Sequence, residues 1–463
     1  MADTDVFWQL KLGEITFAQG IPKTEPFLST QPDRPHVPVA WLAQVIYSQV
    51  RLATGWVGLH LVDTLIWFGG YIILAHRMRR ERGVTWPAVT ALVLAQLCTF
   101  SHSMTGRPQS FSVLAFALLV LLTRSQLPAW KKWLFGAILL VVWQNAHPSA
   151  VAGFVWLGSL AFAEGLLWYW YRAENQRFAT IGLTLIAAAA LFATPAGAAI
   201  FPLSKDNAEA SLWFGIGEWK PLWDQKCTST LVSGDVTGFL DWFFGSGRLS
   251  AFLVIIPTIV VCCYRWRRVP LAELLATLPL LALTIYMHRF ILFWAAVMIP
   301  IWYFLLAPPV SVTPAQPWWP NRVTRPFVIS LWLLTFAIRL MLPPYWYVYQ
   351  SFAGATALRE SGMKGVIYCN YFQGGTLIDY GYPDWRVTHD GRYYLYSISD
   401  WQVHADERAG KVPLATIVDR YKPKAFFLRP GADDGLIQLL TADTDWKQIF
   451  SDDWSVAFIR NRR

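Results

Sequence analysis

The residues with chemical potential in this chain are few, and they gather where apolar stretches end. Two carboxylates open it in Asp3-Thr4-Asp5. Further along stand Arg107 and Gln109 in Arg107-Pro108-Gln109, His147 after Asn145-Ala146, Glu218 and Trp219 in Gly217-Glu218-Trp219, and His288 and Arg289 before Phe290. A carboxylate can take a proton as a general base or hold a divalent metal. An arginine can grip a phosphate through parallel hydrogen bonds, and an indole offers a flat apolar face. Each also has a plainer reading. A short acidic segment can cap a helix. An arginine at a span end can snorkel to the interface, a histidine in a turn is more often a satisfied polar group, and Gly217-Glu218-Trp219 can be an interfacial anchor. What favours chemistry is that all these residues fall on one side of a common apolar framework.

That framework consists of ten apolar stretches, at residues 57–75, 86–104, 110–122, 133–145, 150–171, 178–200, 249–264, 270–287, 290–306 and 326–342. Several are shorter than the ~20 residues a straight membrane span needs. Alternate connections carry the basic residues: Arg77, Arg79, Arg80 and Arg82; Arg124, Lys131 and Lys132; Arg172 and Arg177; Arg265, Arg267 and Arg268; Arg322 and Arg325. The positive-inside rule makes these connections cytoplasmic. The outer side then holds residues 1–56, the turns near Arg107, His147 and Arg289, the 201–248 loop and the tail after Leu342.

Composition agrees. Hydrophobic residues make up 55% of the chain and charged residues 15%, against roughly 25% charged in soluble proteins. The 26 Trp suit a protein with many interfacial positions. The formal charge of +9 does not indicate nucleic acid, because the basic residues are spread over the inner connections and form no stripe. Cys98, Cys262 and Cys263 fall in apolar spans as packing residues. Cys227 and Cys369 both fall on the outer side and can pair in an oxidising compartment, although sequence does not set connectivity.

Three regions follow. Residues 1–56 form an outer loop with an acidic motif and an amphipathic helix carrying Trp41, Leu42, Val45, Ile46 and Val50. Residues 57–342 form the membrane domain. Residues 343–463 form a soluble outer α/β domain with strands at 366–369, 386–388, 425–428, 446–450 and 456–459, helices at 414–421 and 435–441, and Asp452-Asp453 in a terminal hairpin turn. This last domain is expected to fold as a separate unit and to carry no catalytic group. The opening residues have no basic n-region or apolar h-region, yet the alternation places them outside. The expectation is that the true start lies upstream and that a first span is missing.

Taken in order, Asp3-Thr4-Asp5, Phe7-Trp8, Gly13-Glu14, Ile21-Pro22, Glu25-Pro26-Phe27 and Trp41-Leu42 resemble the opening of bacterial integral-membrane glycosyltransferases of the GT-C type and of related membrane proteins. Arg107-Pro108-Gln109, Asn145-Ala146-His147, Thr194-Pro195-Ala196-Gly197, Gly217-Glu218-Trp219 and His288-Arg289-Phe290 are similar to the same group's outer-face motifs. Asn370, Gly374-Gly375 and Asp390-Gly391-Arg392 are similar to its soluble domain. The resemblance covers nearly the whole chain. It departs at Pro38-Val39-Ala40, where the group often has Asn-His-Glu before Trp-Leu, so a second acid is absent there. Asp390-Gly391-Arg392 itself reads as a structural turn.

The resemblance implies a polytopic α-helical, GT-C-like membrane protein with a small C-terminal α/β domain, in the bacterial cytoplasmic membrane. It implies transfer of a sugar from a polyprenyl-phosphate-linked donor to a cell-envelope glycan, lipid or protein acceptor. Asp3 and Asp5 then suit the base, or the ligands of a divalent metal such as Mg or Mn. Glu218 suits a second acid. Arg107 and Arg289 suit the phosphate, and Gln109, His147, Trp219 and His288 suit substrate binding, with Trp219 stacking on a sugar. Two other classes stay open. A transporter or flippase of a lipid-linked saccharide would use charges inside spans, such as Asp63, Glu164 and Glu273, and broken, repeated helices. A non-catalytic saccharide-binding scaffold on the same fold would explain the absent acid before Trp41.

Overall fold

The computed structural model describes residues 5–99, 102, 107–172, 176–223, 229, 232–238, 248–308, 326, 329–330, 333–334, 336–337, 341 and 352–461. Asp3 and Cys227 lie outside the described residues, as does most of the 326–342 stretch.

The chain begins with α1 (Asp5–Gln19), whose inner face is Val6, Phe7, Leu10 and Leu12. The next helix, α2 (Trp41–Arg82), joins the amphipathic segment and the first apolar stretch into one element with a break at Gly55, where φ is 69° and ψ −167°. A side chain would resist that conformation; glycine adopts it freely. Then come α3 (Thr85–Thr99), α4 (Gln109–Arg124), α5 (Ala129–Ala146), α6 (Ala150–Tyr171), α7 (Arg177–Ala190), α8 (Ile200–Trp213), α9 (Leu249–Arg265), α10 (Leu271–Ala276), α11 (Leu278–Tyr286) and α12 (Ile291–Leu306). Among the described residues four helical runs are long and apolar enough to cross a membrane: Trp41–Glu81, Ala150–Tyr171, Leu249–Arg268 and His288–Leu306. The runs Thr85–Thr99, Gln109–Arg124, Arg177–Ala190 and Leu271–Tyr286 are shorter.

Two stretches depart from the sequence expectation. The 178–200 run is helical only to Ala190, and the 270–287 run divides into α10 and α11 with Pro279 at the start of the second. Proline lacks the amide a continuing helix would need and fits the first turn of a new one.

Helix α12 is the axis of the bundle. Nearly every residue from Ile291 to Leu305 is buried, and Trp302 Nε1 donates to Thr258 Oγ1 at 2.8 Å. Beside it, Phe116 packs edge-on to Trp143, Trp156 and Phe293. Other helices turn large apolar side chains outward, among them Phe162, Leu185, Leu253 and Val260. Such a belt suits hydrocarbon better than water. At the basic end Arg124 binds Glu273 and also reaches Glu81 at 3.0 Å, so α2, α4 and α10 are tied together there.

After residue 352 the fold changes. A five-stranded sheet of β1 (Gly365–Cys369), β2 (Trp385–Val387), β3 (Ala425–Leu428), β4 (Trp446–Ser451) and β5 (Val456–Arg460) has the order β2-β1-β3-β5-β4. β1 is parallel to both β2 and β3, whereas β5 is antiparallel to β3 and β4. Helices α13 (Phe352–Glu360), α14 (Tyr371–Gly381), α15 (Ile398–Arg408), α16 (Leu414–Tyr421) and α17 (Asp434–Ala442) cover it. Asp452 caps the β4–β5 turn, accepting from the amides of Trp454 and Ser455. Cys369 is a buried thiol donating to His389 O.

The opening segment packs into this unit. Trp8, Leu12, Ile15, Phe27 and Leu28 share one core with Ile367, Leu377, Trp385, Val387 and Trp401. Val387 N donates to Phe27 O at 3.0 Å and Ser29 N to Val387 O at 2.9 Å, so residues 27–29 line the β2 edge. Arg51 of α2 reaches Asp379 at 2.7 Å and Glu14 at 2.5 Å.

Candidate functional site

A cavity of about 740 Å³ lies where helix ends, the opening segment and the sheet unit meet. Its lining includes Asp5, Arg107, Gln109, His147, Glu218, Trp219 and Arg289. Every described candidate from the sequence is thus on its wall except His288. That ring sits edge-on to His102, a wall residue, with centroids 4.8 Å apart.

Asp5 stands in the first turn of α1, where the helix dipole favours a negative charge. Its Oδ1 accepts from Trp8 Nε1 at 3.2 Å, and its Oδ2 is 3.7 Å from Arg107 Nη2. Arg107 precedes α4, and its Nη1 donates to Glu218 Oε1 at 3.3 Å. One guanidinium therefore serves two carboxylates from distant parts of the chain.

Glu218 and Trp219 lie in a short 3₁₀ turn, Gly217–Trp219. Two backbone bonds hold that loop in place: His288 N donates to Lys220 O at 3.0 Å, and Leu222 N to Ile285 O at 2.8 Å. The pairing brings Arg289 over the Trp219 ring, 4.0 Å from its centroid, a cation–π contact. Burial alone would raise the Glu218 pKa. Arg107, followed by Arg289 and His102, outweighs burial and holds the carboxyl below its usual range.

The other side of the wall is fixed through α5. Asn145 accepts from Trp41 Nε1 at 2.7 Å and donates to Ala193 O at 2.7 Å. His147 Nδ1 lies 2.8 Å from Ser149 Oγ, which in turn donates to Ser112 Oγ at 2.7 Å. Gly153 lets Trp143 lie against α6, since a Cβ there would sit 2.8 Å from the ring. Burial, then the charges of Arg289 and Arg107, pushes His147 down to about 3. Burial first, then Arg289 and Arg107, likewise takes His102 down to about 4. Both imidazoles are neutral at pH 7, so the cations on the cavity wall are Arg107, Arg289, Arg392 and Lys205.

A second cluster borders the same cavity. Arg392 Nη1 and Nη2 reach the two Glu25 oxygens at 2.7 and 2.8 Å, and Nη2 reaches Asp390 Oδ2 at 2.5 Å. The guanidinium also lies 5.3 Å from the ring centres of Trp8 and Phe27. Asp390 Oδ1 accepts from Arg392 N at 2.9 Å, so Asp390-Gly391-Arg392 forms a tight turn. Gly374 permits it, because a Cβ there would meet His389 O at 2.2 Å.

Sequence reasoning missed several wall residues: His102, Trp8, Ser149, and the aromatic residues Phe214, Tyr371, Phe372, Tyr393 and Tyr394. His102 was hidden in an apolar run, 86–104, that ends as a helix at Thr99. Polar His102-Ser103 inside that run is the signal that marks the end. Val39 and Ala40, which stand where the resembling group has an acid, line the cavity too. No group of three His, Cys, Asp or Glu suited to a metal occurs among the described residues. Asp5 and Glu218 share Arg107 between them.

No protein-family model and no curated protein matches this sequence. The fold does match a solved structure, that of ArnT from Cupriavidus metallidurans bound to undecaprenyl phosphate. The TM-score is 0.53 at 11% identity, covering 99% of this chain and 94% of that one. ArnT is a glycosyltransferase of the GT-C type. The polytopic helical, GT-C-like architecture with a small C-terminal sheet unit, expected from the sequence, is the fold of this chain. Its apolar helices and that fold make it a membrane protein.

Proposed function

We propose that this chain transfers a sugar from a polyprenyl-phosphate-linked donor to a cell-envelope glycan, lipid or protein acceptor on the outer side of the cytoplasmic membrane. The observation that carries this reading is the meeting of two arginines, Arg107 and Arg289, with two carboxylates, Asp5 and Glu218, in one cavity at the ends of apolar helices. The fold supports it, because the ArnT structure that shares it holds undecaprenyl phosphate.

The chemistry follows from charge. Asp5 takes the proton of the acceptor hydroxyl as general base. The acceptor oxygen bonds to the anomeric carbon while the bond from that carbon to the donor phosphate breaks. The electron pair leaves with the phosphate. Arg289 and Arg107 stabilise the charge gathering on that phosphate, inside a cavity where such interactions are stronger than in water. Glu218, ionised beside both arginines, keeps them in place and supplies the carboxylate that Ala40 lacks. Trp219 holds Arg289 from beneath. His147 and Gln109 are hydrogen-bonding groups for the sugar. A divalent metal, if used, would take Asp3 and Asp5 as ligands, and no step above is routed through it.

The test is transfer from radiolabelled polyprenyl-phosphate sugars to envelope acceptors by the full chain reconstituted in lipid. Transfer that falls sharply in Asp5→Asn, with donor binding intact, supports the enzyme reading. Saccharide binding without transfer from any donor would favour the scaffold.

A further inference from the structure

The sheet unit closes the cavity with rings. Tyr371, Phe372, Tyr393 and Tyr394 line it together with Phe214 from the membrane part. Phe214 is the hub of this surface: its centroid lies 5.3 Å from Tyr371, 4.4 Å from Tyr393 and 4.9 Å from Trp401. Tyr371 also lies 4.3 Å from Phe372 and 5.8 Å from Tyr393.

The surface is held from behind. Trp401 is 2% exposed, and its indole Nε1 donates to Tyr393 O at 3.2 Å. Arg408, anchored on Asp433, lies over Tyr371, and Arg429 over Phe372. Tyr371, Phe372, Tyr393 and Tyr394 themselves are only half-buried. Together they form an aromatic shelf on the cavity wall.

A shelf of this kind selects among acceptor classes. A pyranose presents an apolar C–H face ringed by hydroxyls, matching aromatic faces that carry phenol groups at their edges. An acyl chain has no hydroxyls to meet them. An extended peptide binds best along a sheet edge, and the β2 edge that leads into this loop is already taken by residues 27–29.

We propose that Tyr371, Phe372 and Tyr393 form the acceptor subsite, and that the acceptor is a saccharide, either a free glycan or the headgroup of a glycolipid. This rests on the transfer reading above and narrows its acceptor.

The test uses the full chain in lipid nanodiscs. The probes are defined envelope oligosaccharides (lipopolysaccharide core, muramyl disaccharide and capsular pyranose fragments), undecaprenyl phosphate, and a Ser/Thr/Asn-rich peptide as comparator. The wild type should bind at least one oligosaccharide. Tyr393→Ala and Tyr371→Ala should each bind it about tenfold more weakly per folded molecule, with undecaprenyl phosphate affinity unchanged. Tyr393→Phe should restore most of the binding, since it keeps the face. Absence of oligosaccharide binding, unchanged binding in both alanine variants, preferential binding of the peptide, or loss of undecaprenyl phosphate instead would each overturn the proposal. Oligosaccharide binding that depends on the shelf while no donor supports transfer would leave the subsite standing and sink the enzyme reading alone.

Discussion

The two arginine–carboxylate clusters beside the cavity use the same groups to opposite ends. Around Arg392 the oxygens of Glu25 and Asp390 lie at 2.5 to 3.1 Å, and all three side chains are 2% exposed or less. Around Arg107 the carboxylates of Glu218 and Asp5 lie at 3.3 and 3.7 Å, with side chains 19% to 27% exposed. The first cluster is saturated. A buried guanidinium there offsets two buried charges and fastens the opening segment to the sheet unit. The second is longer-ranged and faces open volume, so an incoming phosphate can share its hydrogen bonds. The difference teaches that binding capacity lies in how completely the neighbours satisfy an arginine, and its presence at a site says little alone.

The comparison can be broken most severely at Asp5. Asp5→Asn should reduce transfer by roughly 10²–10⁴ while the melting temperature and undecaprenyl phosphate binding stay near wild type. Undiminished transfer would remove Asp5 from the reacting centre. Arg392→Met should act the other way. Leaving Glu25 and Asp390 buried without their cation costs about 3–5 kcal/mol, read as a lower melting temperature and early proteolysis within residues 20–40. Transfer per folded molecule should persist. A stable but inactive Arg392→Met protein would show that the saturated cluster also does chemistry.

Arg289→Ala should weaken undecaprenyl phosphate binding by about 10- to 100-fold, the size of a hydrogen bond to a charged group, and leave saccharide binding nearly intact. Arg289→Lys should recover only part, because an ammonium lacks the planar fork. Trp219→Leu, which removes only the ring beneath Arg289, should cost a few-fold in the same assay.

Acid separates the clusters without mutation. Burial would raise the Glu25 pKa, but Arg392 and the Phe27 amide lower it below its usual value overall. Burial and then Arg392 take His36 from 6.5 to about 4. In the unfolded chain both groups bind protons at higher pH than in the fold. The contribution of a neutral, buried His36 is therefore present above about pH 6.5 and is lost as pH falls towards 4, whereas that of the Glu25 carboxylate is lost only below its ordinary value of 4.5. Glu218, by contrast, is held below its usual range against burial by Arg107 and Arg289. Proteolysis of the opening segment should thus accelerate between pH 6.5 and 4 while undecaprenyl phosphate binding is retained from pH 7 to 5. Parallel loss of both would mean that the clusters are not separable.

Much of the helical framework was legible, because long apolar runs with basic ends admit few alternatives. Two of the runs that broke did so at a proline, Pro195 beyond the end of α7 and Pro279 in the first turn of α11, although α9 and α12 accommodate Pro257 and Pro300. In the sheet unit the strands and α16 were readable from apolar patterning. Helix α14 was not, since Gly374 and Gly375 argue against a helix, and it forms under an Asn370 cap with glycines that permit close packing. Helix α15 is too polar for periodicity to reveal, although its Ser397/Asp400 capping box is a usable sign.

The site was half legible. Arginines and acids at span ends could be found from sidedness. The aromatic shelf could not, because Phe214, Tyr371 and Tyr393 come together only through tertiary contacts. Nor does anything local to Glu25 disclose Arg392 as its partner.

That last pairing sets an order of events during synthesis. The two residues are 367 positions apart, so a ribosome adding about 5–20 residues per second needs roughly 20–70 s to make the second after the first. During that interval Val6, Phe7 and Leu10 of α1 can already pack against Tyr47 and Leu59 of α2, whereas Trp8, Phe27 and Leu28 wait for the sheet unit. The part of the cavity wall made by Arg392, Tyr371 and Tyr393 is added only once those later residues have emerged and folded. A chain interrupted before β2 would carry its arginines and its lipid-facing helices but no assembled cavity. Completion of the polypeptide itself thus completes the cavity.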